Sequence, residues 1–200
     1  MKVLLAAGLI RLLGGANPRW VGCQPDERQR VYFANHTSHL DAAVLWACLP
    51  PALRARTRPA AAKDYWEAGP LRRFLAQQVF QAILIDRTRV TAHNNPIELL
   101  VAGMGDHFSL ILFPEGGRGT GETVGPFKSG LYHLAKAKPQ VELIPVFIDN
   151  MNRILPKGEF LPVPLLSSIS FGAPLNRVPD EAKPTFLERA REAVCQLQHT

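Results

Sequence analysis

His36 and Asp41 sit in one heptapeptide, Asn35-His36-Thr37-Ser38-His39-Leu40-Asp41. A carboxylate that holds one ring nitrogen of an imidazole leaves the other free to take a proton, as in hydrolytic triads. Such a pair can deprotonate an alcohol, which contributes roughly 10²–10⁴-fold in rate. The same residues admit a plainer use. Ser38 can cap a following helix, and Asp41, three residues on, can complete a capping box and face the helix dipole. Three cations and a Gly-rich loop supply further chemistry: Lys63, Arg87, and Glu115-Gly116-Gly117-Arg118. Arginine grips phosphate through two parallel hydrogen bonds and lysine adds a point charge; each charge-assisted contact contributes about 1.5–3 kcal/mol. Base and cations together favour an alcohol that carries a phosphate. No Gly-x-Ser-x-Gly elbow occurs, so the alcohol itself, activated by His36, is the expected nucleophile.

Hydrophobic patterning says which elements carry these residues. Val31–Ala34 is short and rich in β-formers, whereas the run after the heptapeptide suits a helix to Leu49, stopped by Pro50-Pro51. Residues 17–29, with Pro18 and Pro25, read as an irregular entry, and Arg54–Arg58 as a basic linker into the run Ala60-Ala61-Ala62 before Lys63. Tyr65–Phe80 is helical in two pieces split at Gly69-Pro70. Ala82–Ile85 reads as a buried strand, Ile97–Met104 as a helix led by Pro96, and Phe108–Phe113 as another strand. A helix over 130–137 follows. Pro145 favours an edge or a bulge for the strand Val141–Ile148. Ser167–Phe171 reads as a strand, and Glu181–Gln198 as a closing helix whose start Pro184 disturbs. Strands alternating with helices imply parallel βαβ units in a three-layer, single-domain α/β fold: a mostly parallel central sheet flanked by helices. His36, Lys63, Arg87 and Glu115–Arg118 each follow a different strand, so four sequence-distant groups converge at one sheet edge. That convergence outweighs the capping-only use of the heptapeptide.

Composition bounds the partners. The 200 residues, 46% apolar and 20% charged, suit one globular domain over 17–200 behind a short amphipathic segment, 1–16. The net charge of +6 favours an anionic partner. Nucleic acid is not expected, because no helix-turn-helix, zinc spacing or aromatic RNA-binding motif accompanies the clusters Arg54/Arg56/Arg58 and Arg72/Arg73. Cys23, Cys48 and Cys195 form no metal or redox spacing and read as free thiols, with Cys48 in core packing rather than as an acyl carrier. The eight uncharged residues between Lys2 and Arg11 fall short of the roughly 20 that span a bilayer. They fit a helix in the membrane interface or one docked on the protein's own core. Gly117-Arg-Gly119-Thr-Gly121 and Gly125-Pro-Phe-Lys128-Ser129 match neither a dinucleotide loop nor a P-loop. His36, His39 and Asp41 as metal ligands define a rival, a metal-dependent hydrolase. A non-catalytic protein that binds anionic membranes through its basic face is a second rival.

The motifs together resemble the glycerolipid acyltransferases, in particular the 1-acylglycerol-3-phosphate acyltransferases. Asn35-His36-x-Ser38-x-x-Asp41 resembles the family's first block, and Ala62-Lys63 with its following acidic residue resembles the next. Ile83-Leu-Ile85-Asp86-Arg87 resembles the Ile-Asp-Arg block, and Phe113-Pro114-Glu115-Gly116-x-Arg118 the Phe-Pro-Glu-Gly-Thr-Arg-Ser loop. Phe127-Lys128-x-Gly130 and Ile144-Pro145-Val146 complete the series, which covers roughly residues 30–150. The resemblance implies acyl transfer from acyl-CoA or acyl carrier protein to a lysophospholipid hydroxyl, with no cofactor. Another acceptor, a lyso-aminolipid or glycerol-3-phosphate, is the alternative. By position, His36 is the base and Asp41 its orienting partner; Lys63, Arg87 and Arg118 hold the acceptor's phosphate. Glu115 and Gly116 shape the acceptor loop, with Glu115 in reach of the glycerol. Peripheral attachment to the inner, cytoplasmic face of the cell membrane is expected. Two stretches depart from the family: Gly117 and Gly119 stand for its Thr and Ser, and Gln81-Ala82 stand near the place of a frequent glycine. His36 also lies only 35 residues from the start, so little of the family's apolar helical hairpin is expected ahead of it.

Overall fold

A computed structural model describes residues 7, 8, 10, 11, 15–86, 95–149, 167–176 and 178–199. Seven strands form one sheet: β1 (Ala16–Trp20), β2 (Arg30–Ala34), β3 (Thr57–Ala62), β4 (Ile83–Ile85), β5 (Ser109–Leu112), β6 (Glu142–Ile148) and β7 (Ser167–Phe171). Their spatial order is β1-β7-β6-β2-β5-β3-β4. Every pairing is parallel except β6 with β7. The helices are α1 (Asp41–Cys48), α2 (Pro51–Ala55), α3 (Lys63–Trp66), α4 (Pro70–Phe74), α5 (Pro96–Met104), α6 (Gly130–Ala137) and α7 (Lys183–Cys195).

Alternation along the central strands builds two cores. Tyr32, Ala34, Ile144, Val146 and Ile148 face α1, while Val31, Phe33, Leu143 and Phe147 face α5, α6 and α7. The expected three layers are thus present, and β2, buried at every position, lies in the middle of the sheet. Full burial of each such side chain contributes about 1.5–3 kcal/mol, so the core holds the central strand ends rigidly. The chain leaving β2 passes through α1 on one face toward β3. The chain leaving β5 passes through α6 on the other face toward β6. The loops after these two neighbouring strands therefore diverge and open a crevice at their carboxyl ends.

Several local expectations fail for reasons of tertiary context. Residues 16–20 are a strand, because β7 offers a parallel partner from Ala16↔Ser167 to Trp20↔Phe171. Residues 51–62 form α2 and β3 instead of a linker. Pro59 is accommodated where β3 changes partner, from β5 at Thr57–Pro59 to β4 at Ala60–Ala62. Pro145 lies in an interior strand. The antiparallel ladder to β7 starts only at Val146, so Pro145 stands one residue outside it. Ile83–Ile85 is a half-buried edge strand rather than a buried one. Pro184 falls in the first turn of α7, where a missing N–H leaves no bond unmade, so it starts that helix rather than disturbing it.

Ala7 is buried in the core cluster that contains α1, with Ile10 packed beside it, so the described part of the N-terminal segment docks on the protein. No helix among the described residues is long and apolar enough to cross a membrane. Cys48 is buried and desolvation pushes its thiol up to about 11, which suits packing and not nucleophilic catalysis. Arg54 and Arg58 belong to the scaffold. Arg54 is buried and donates to the carbonyls of Ala47 (3.0 Å) and Leu49 (2.9 Å), closing the end of α1. Arg58 lies 3.4 Å over the Phe108 ring and donates to the Gly103 carbonyl. Both precede or open β3, at the opposite edge of the sheet from the crevice.

Candidate active site

The heptapeptide leaves the carboxyl end of β2, and its aspartate folds the turn. Asp41 is the first residue of α1 and 0% exposed. Its Oδ2 accepts from the backbone N–H of Thr37 (2.7 Å) and of Ser38 (2.8 Å), and lies 2.9 Å from His36 Nδ1. A carboxylate only accepts, so the neutral imidazole carries its proton on Nδ1 and presents Nε2 as a bare acceptor. Ser38 does not cap α1. The N-cap residue is Leu40, with no side-chain cap, and the carboxylate of Asp41 reaches back to the turn instead. The helix-dipole part of the plainer use still applies, since Asp41 stands in the first turn of α1.

The backbone of His36 is held from the loop after β5. Its N–H donates to Glu115 Oε1 at 2.7 Å, and its carbonyl accepts from Gly119 N–H at 2.8 Å. Glu115 Oε2 accepts from Gly125 N–H at 3.0 Å, so one carboxylate joins three segments of chain. Its two oxygens thus serve the backbone, a loop-shaping role. Phe113 stacks on the His36 ring at 4.4 Å between centroids and fixes its plane. Gly116 closes the turn begun at Phe113 and takes φ +69°, a conformation that strains any residue with a Cβ. At the other end of the heptapeptide, the Asn35 amide exchanges two hydrogen bonds with the Ile148 backbone, at 2.8 and 2.9 Å, tying β2 to β6.

Gly125 offers a test of this lacing. A Cβ there would lie 2.7 Å from Glu115 Oε2. Gly125→Ala should therefore displace the carboxylate and loosen His36, destabilising the protein by about 1–3 kcal/mol. The expected kinetic signature is a lower kcat with little change in KM, read from steady-state kinetics beside a thermal melt.

His36 opens onto a cavity of about 450 Å³. Gly116, Gly117 and Arg118 form one lip; Pro59–Ala62, Trp66, Phe80, Ile85 and Leu112 supply an apolar wall. His39 and Tyr65 stand at the other lip with their rings stacked at 4.4 Å, and the Arg72 guanidinium lies 4.4 Å over the far face of Tyr65. Burial, then the charge of Arg118 nearby, holds the His39 imidazole below its ordinary value. Of the sequence-derived residues, His36, Gly116 and Arg118 share this cavity, Asp41 backs His36, and Glu115 laces the loops beneath. Lys63 starts α3 at the same sheet edge but is exposed and does not line the cavity. Arg87 lies outside the described residues; β4, which leads to it, ends at the cavity wall with Ile85. His36, His39 and Asp41 do not gather as a metal-ligand set, and among the described residues no group of three or more His, Cys, Asp or Glu does.

Sequence reasoning missed the apolar wall and the Gly125 tether. Trp66 and Phe80 carry no local signal, because they meet only in the fold, with ring centroids 5.9 Å apart. Trp66 ends α3, and Phe80 follows α4 and a π-helical turn, Leu75–Val79, with Ala76 and Phe80 buried.

The chain has recognisable relatives. Residues 23–149 match the family model described as Acyltransferase. Over 174 residues the chain is 26% identical to the "1-acyl-sn-glycerol-3-phosphate acyltransferase" of Limnanthes douglasii, covering 86% of this chain and 59% of that one. The proteins of the same name from Salmonella typhimurium and Escherichia coli (strain K12) are 31% and 30% identical. Those matches cover 60% and 62% of this chain and 46% and 51% of theirs. The chain thus spans about half to three-fifths of the length of these relatives. Its fold is that of the crystal structure of the 1-acyl-sn-glycerophosphate (LPA) acyltransferase, PlsC, from Thermotoga maritima. The two superpose with a TM-score of 0.78 at 16% identity, over 99% of this chain and 78% of that one.

Proposed function

This chain belongs to the acyltransferase family, and from that premise we propose that it moves a fatty acyl group from a thioester to the free hydroxyl of a phosphate-bearing lysolipid. The acceptor that the relatives' names support is 1-acylglycerol-3-phosphate. One observation carries the reading: a buried carboxylate holds His36 at the mouth of a cavity with a cationic lip and an apolar wall. The wall suits acyl chains, and Arg118 suits the phosphate.

In the reaction, His36 Nε2 takes the proton of the acceptor hydroxyl as its oxygen attacks the thioester carbonyl. A C–O bond forms, and the tetrahedral intermediate then breaks its C–S bond. The proton held by His36 passes to the departing thiolate, so the base ends as it began. Asp41 keeps the ring in the productive tautomer and stabilises the transient imidazolium. Arg118 anchors the phosphate and thereby aims the hydroxyl; Lys63, which starts α3 just after β3, adds positive charge at the same edge. The donor is acyl-CoA or acyl carrier protein, and the protein works peripherally at a membrane that supplies its acceptor.

The deciding experiment incubates the purified chain with labelled acyl-CoA, and in parallel with acyl carrier protein thioester. The acceptors are 1-acylglycerol-3-phosphate, a lyso-aminolipid and glycerol-3-phosphate. Diacyl product from the first acceptor is expected, and folded protein that yields product from none overturns the reading. With the productive acceptor, Arg118→Gln should raise KM about 10-fold or more, one charge-assisted contact being lost, with kcat changed less. An unchanged KM would remove Arg118 from the phosphate site.

A further inference from the structure

We infer that the exposed face of α4, formed by Leu71 and Phe74 between Arg72 and Arg73, docks the protein on an anionic phospholipid bilayer beside the cavity mouth. The inference rests on the lipid-acceptor reading and names the surface through which that acceptor arrives. Large apolar side chains are seldom left in water next to one another. Leu71 is 69% exposed and Phe74 49% exposed, the two most exposed such residues in this part of the molecule. They are three apart in one helix, so they lie on the same face. The π-helical turn that follows sends Ala76 and Phe80 into the core, so the apolar residues of this segment divide between inside and outside. Nothing in the cores needs Leu71 or Phe74.

Charge chooses the occupant. From Ala68 to Ile85 the chain carries Arg72 and Arg73 and no acidic side chain. Arg54 and Arg58 of the other cluster are tied into the scaffold, as described, and sit at the far edge of the sheet. Arg73 is exposed and donates only to the Glu67 carbonyl, at 3.3 Å, among the bonds described. Apolar side chains flanked by arginines match a surface with anionic headgroups above an acyl interior. Position supports the same occupant. Arg72 stacks on Tyr65 and Tyr65 on His39, both of which line the cavity, so α4 is one side chain away from its lip. A lysolipid leaving a bilayer at α4 enters the cavity with its tail toward the apolar wall. It need not cross water.

The test uses the full chain, with wild type compared with Leu71→Ser/Phe74→Ser and with Arg73→Gln. Co-sedimentation is measured with vesicles of phosphatidylcholine alone and of phosphatidylcholine mixed with phosphatidylglycerol. Acyl transfer is measured in parallel on a short-chain, water-soluble phosphate acceptor. Wild type should bind the mixed vesicles best. The double variant should bind them about tenfold or more weakly, and Arg73→Gln about fivefold more weakly, with the loss shrinking at high salt. Both variants should melt like wild type and keep wild-type turnover on the soluble acceptor, because neither touches the cavity. Vesicle binding unchanged in the double variant overturns the inference. So does a wild-type dimer that the double variant dissociates without change in vesicle binding, since the face would then join two copies. If no soluble acceptor is turned over by wild type while vesicle binding behaves as expected, the catalytic reading fails and the docking face stands.

Discussion

His36→Ala should lower kcat for acyl transfer by about 10²–10⁴-fold while the protein remains folded. In the proposed reaction the imidazole takes the acceptor's proton, and His36 is the ring that Asp41 holds by Nδ1. The backbone clamps on residue 36 use its N–H and carbonyl, so they survive the substitution. Asp41 loses one of its three donors, a cost of about 1 kcal/mol, and Tm should fall by about 2–4 °C for a domain of this size. Stopped-time assays of labelled product, run beside a calorimetric melt, read both effects. Turnover within a few-fold of wild type would show that another group is the base. Loss of the folded transition would show that His36 is structural.

Asp41→Asn and Asp41→Ala should separate the role of the charge from that of the turn. One oxygen, Oδ2, accepts from the Thr37 and Ser38 N–H groups and from Nδ1, so an asparagine oxygen in its place can keep all three bonds. The neutral amide no longer stabilises the imidazolium that forms when the ring takes a proton. A fall in kcat within the roughly 10²–10⁴-fold contributed by a general base is expected, with a melt nearer to wild type than that of the alanine variant. Alanine removes the acceptor altogether. Two backbone donors lose their shared acceptor, one of them in a buried bond, which destabilises the turn by about 1–3 kcal/mol in addition to the kinetic loss. If the asparagine variant retains activity, Asp41 is only a turn-former, and the plainer use of the heptapeptide was sufficient.

The difference between these two variants bears on how the family motif is used in this chain. Asn35, His36, Asp41, Glu115 and Gly116 form one laced unit, yet only His36 and Gly116 line the cavity. Asn35 joins β2 to β6, Asp41 folds the turn, and Glu115 ties that turn to Gly125. Most of the motif's polar atoms therefore act on the backbone. They keep one imidazole aligned, which matters because a base displaced by about 1 Å can lose 10²-fold in rate.

The sequence by itself determined which chemistry-bearing residues follow which strands, and that these strands run parallel. Both are local facts, written in apolar periodicity and in helices long enough to cross over. From them followed the three layers, the shared edge and the pairing of His36 with Asp41. Only the tertiary structure decided what surrounds that edge. The inclusion of Ala16–Trp20 and the pairing of Pro145 with Phe33 depend on partners more than a hundred residues away. The same holds for the arginines: Arg54, Arg58, Arg72 and Arg73 look alike in sequence, and packing alone ties the first two into the scaffold and leaves the others on α4. The apolar wall has no local signature either, since Phe80 faces the cavity through a π-helical turn whose register is set by the core beneath it. A motif can name a candidate base, but the space beside it is made by side chains that meet only when the sheet is assembled.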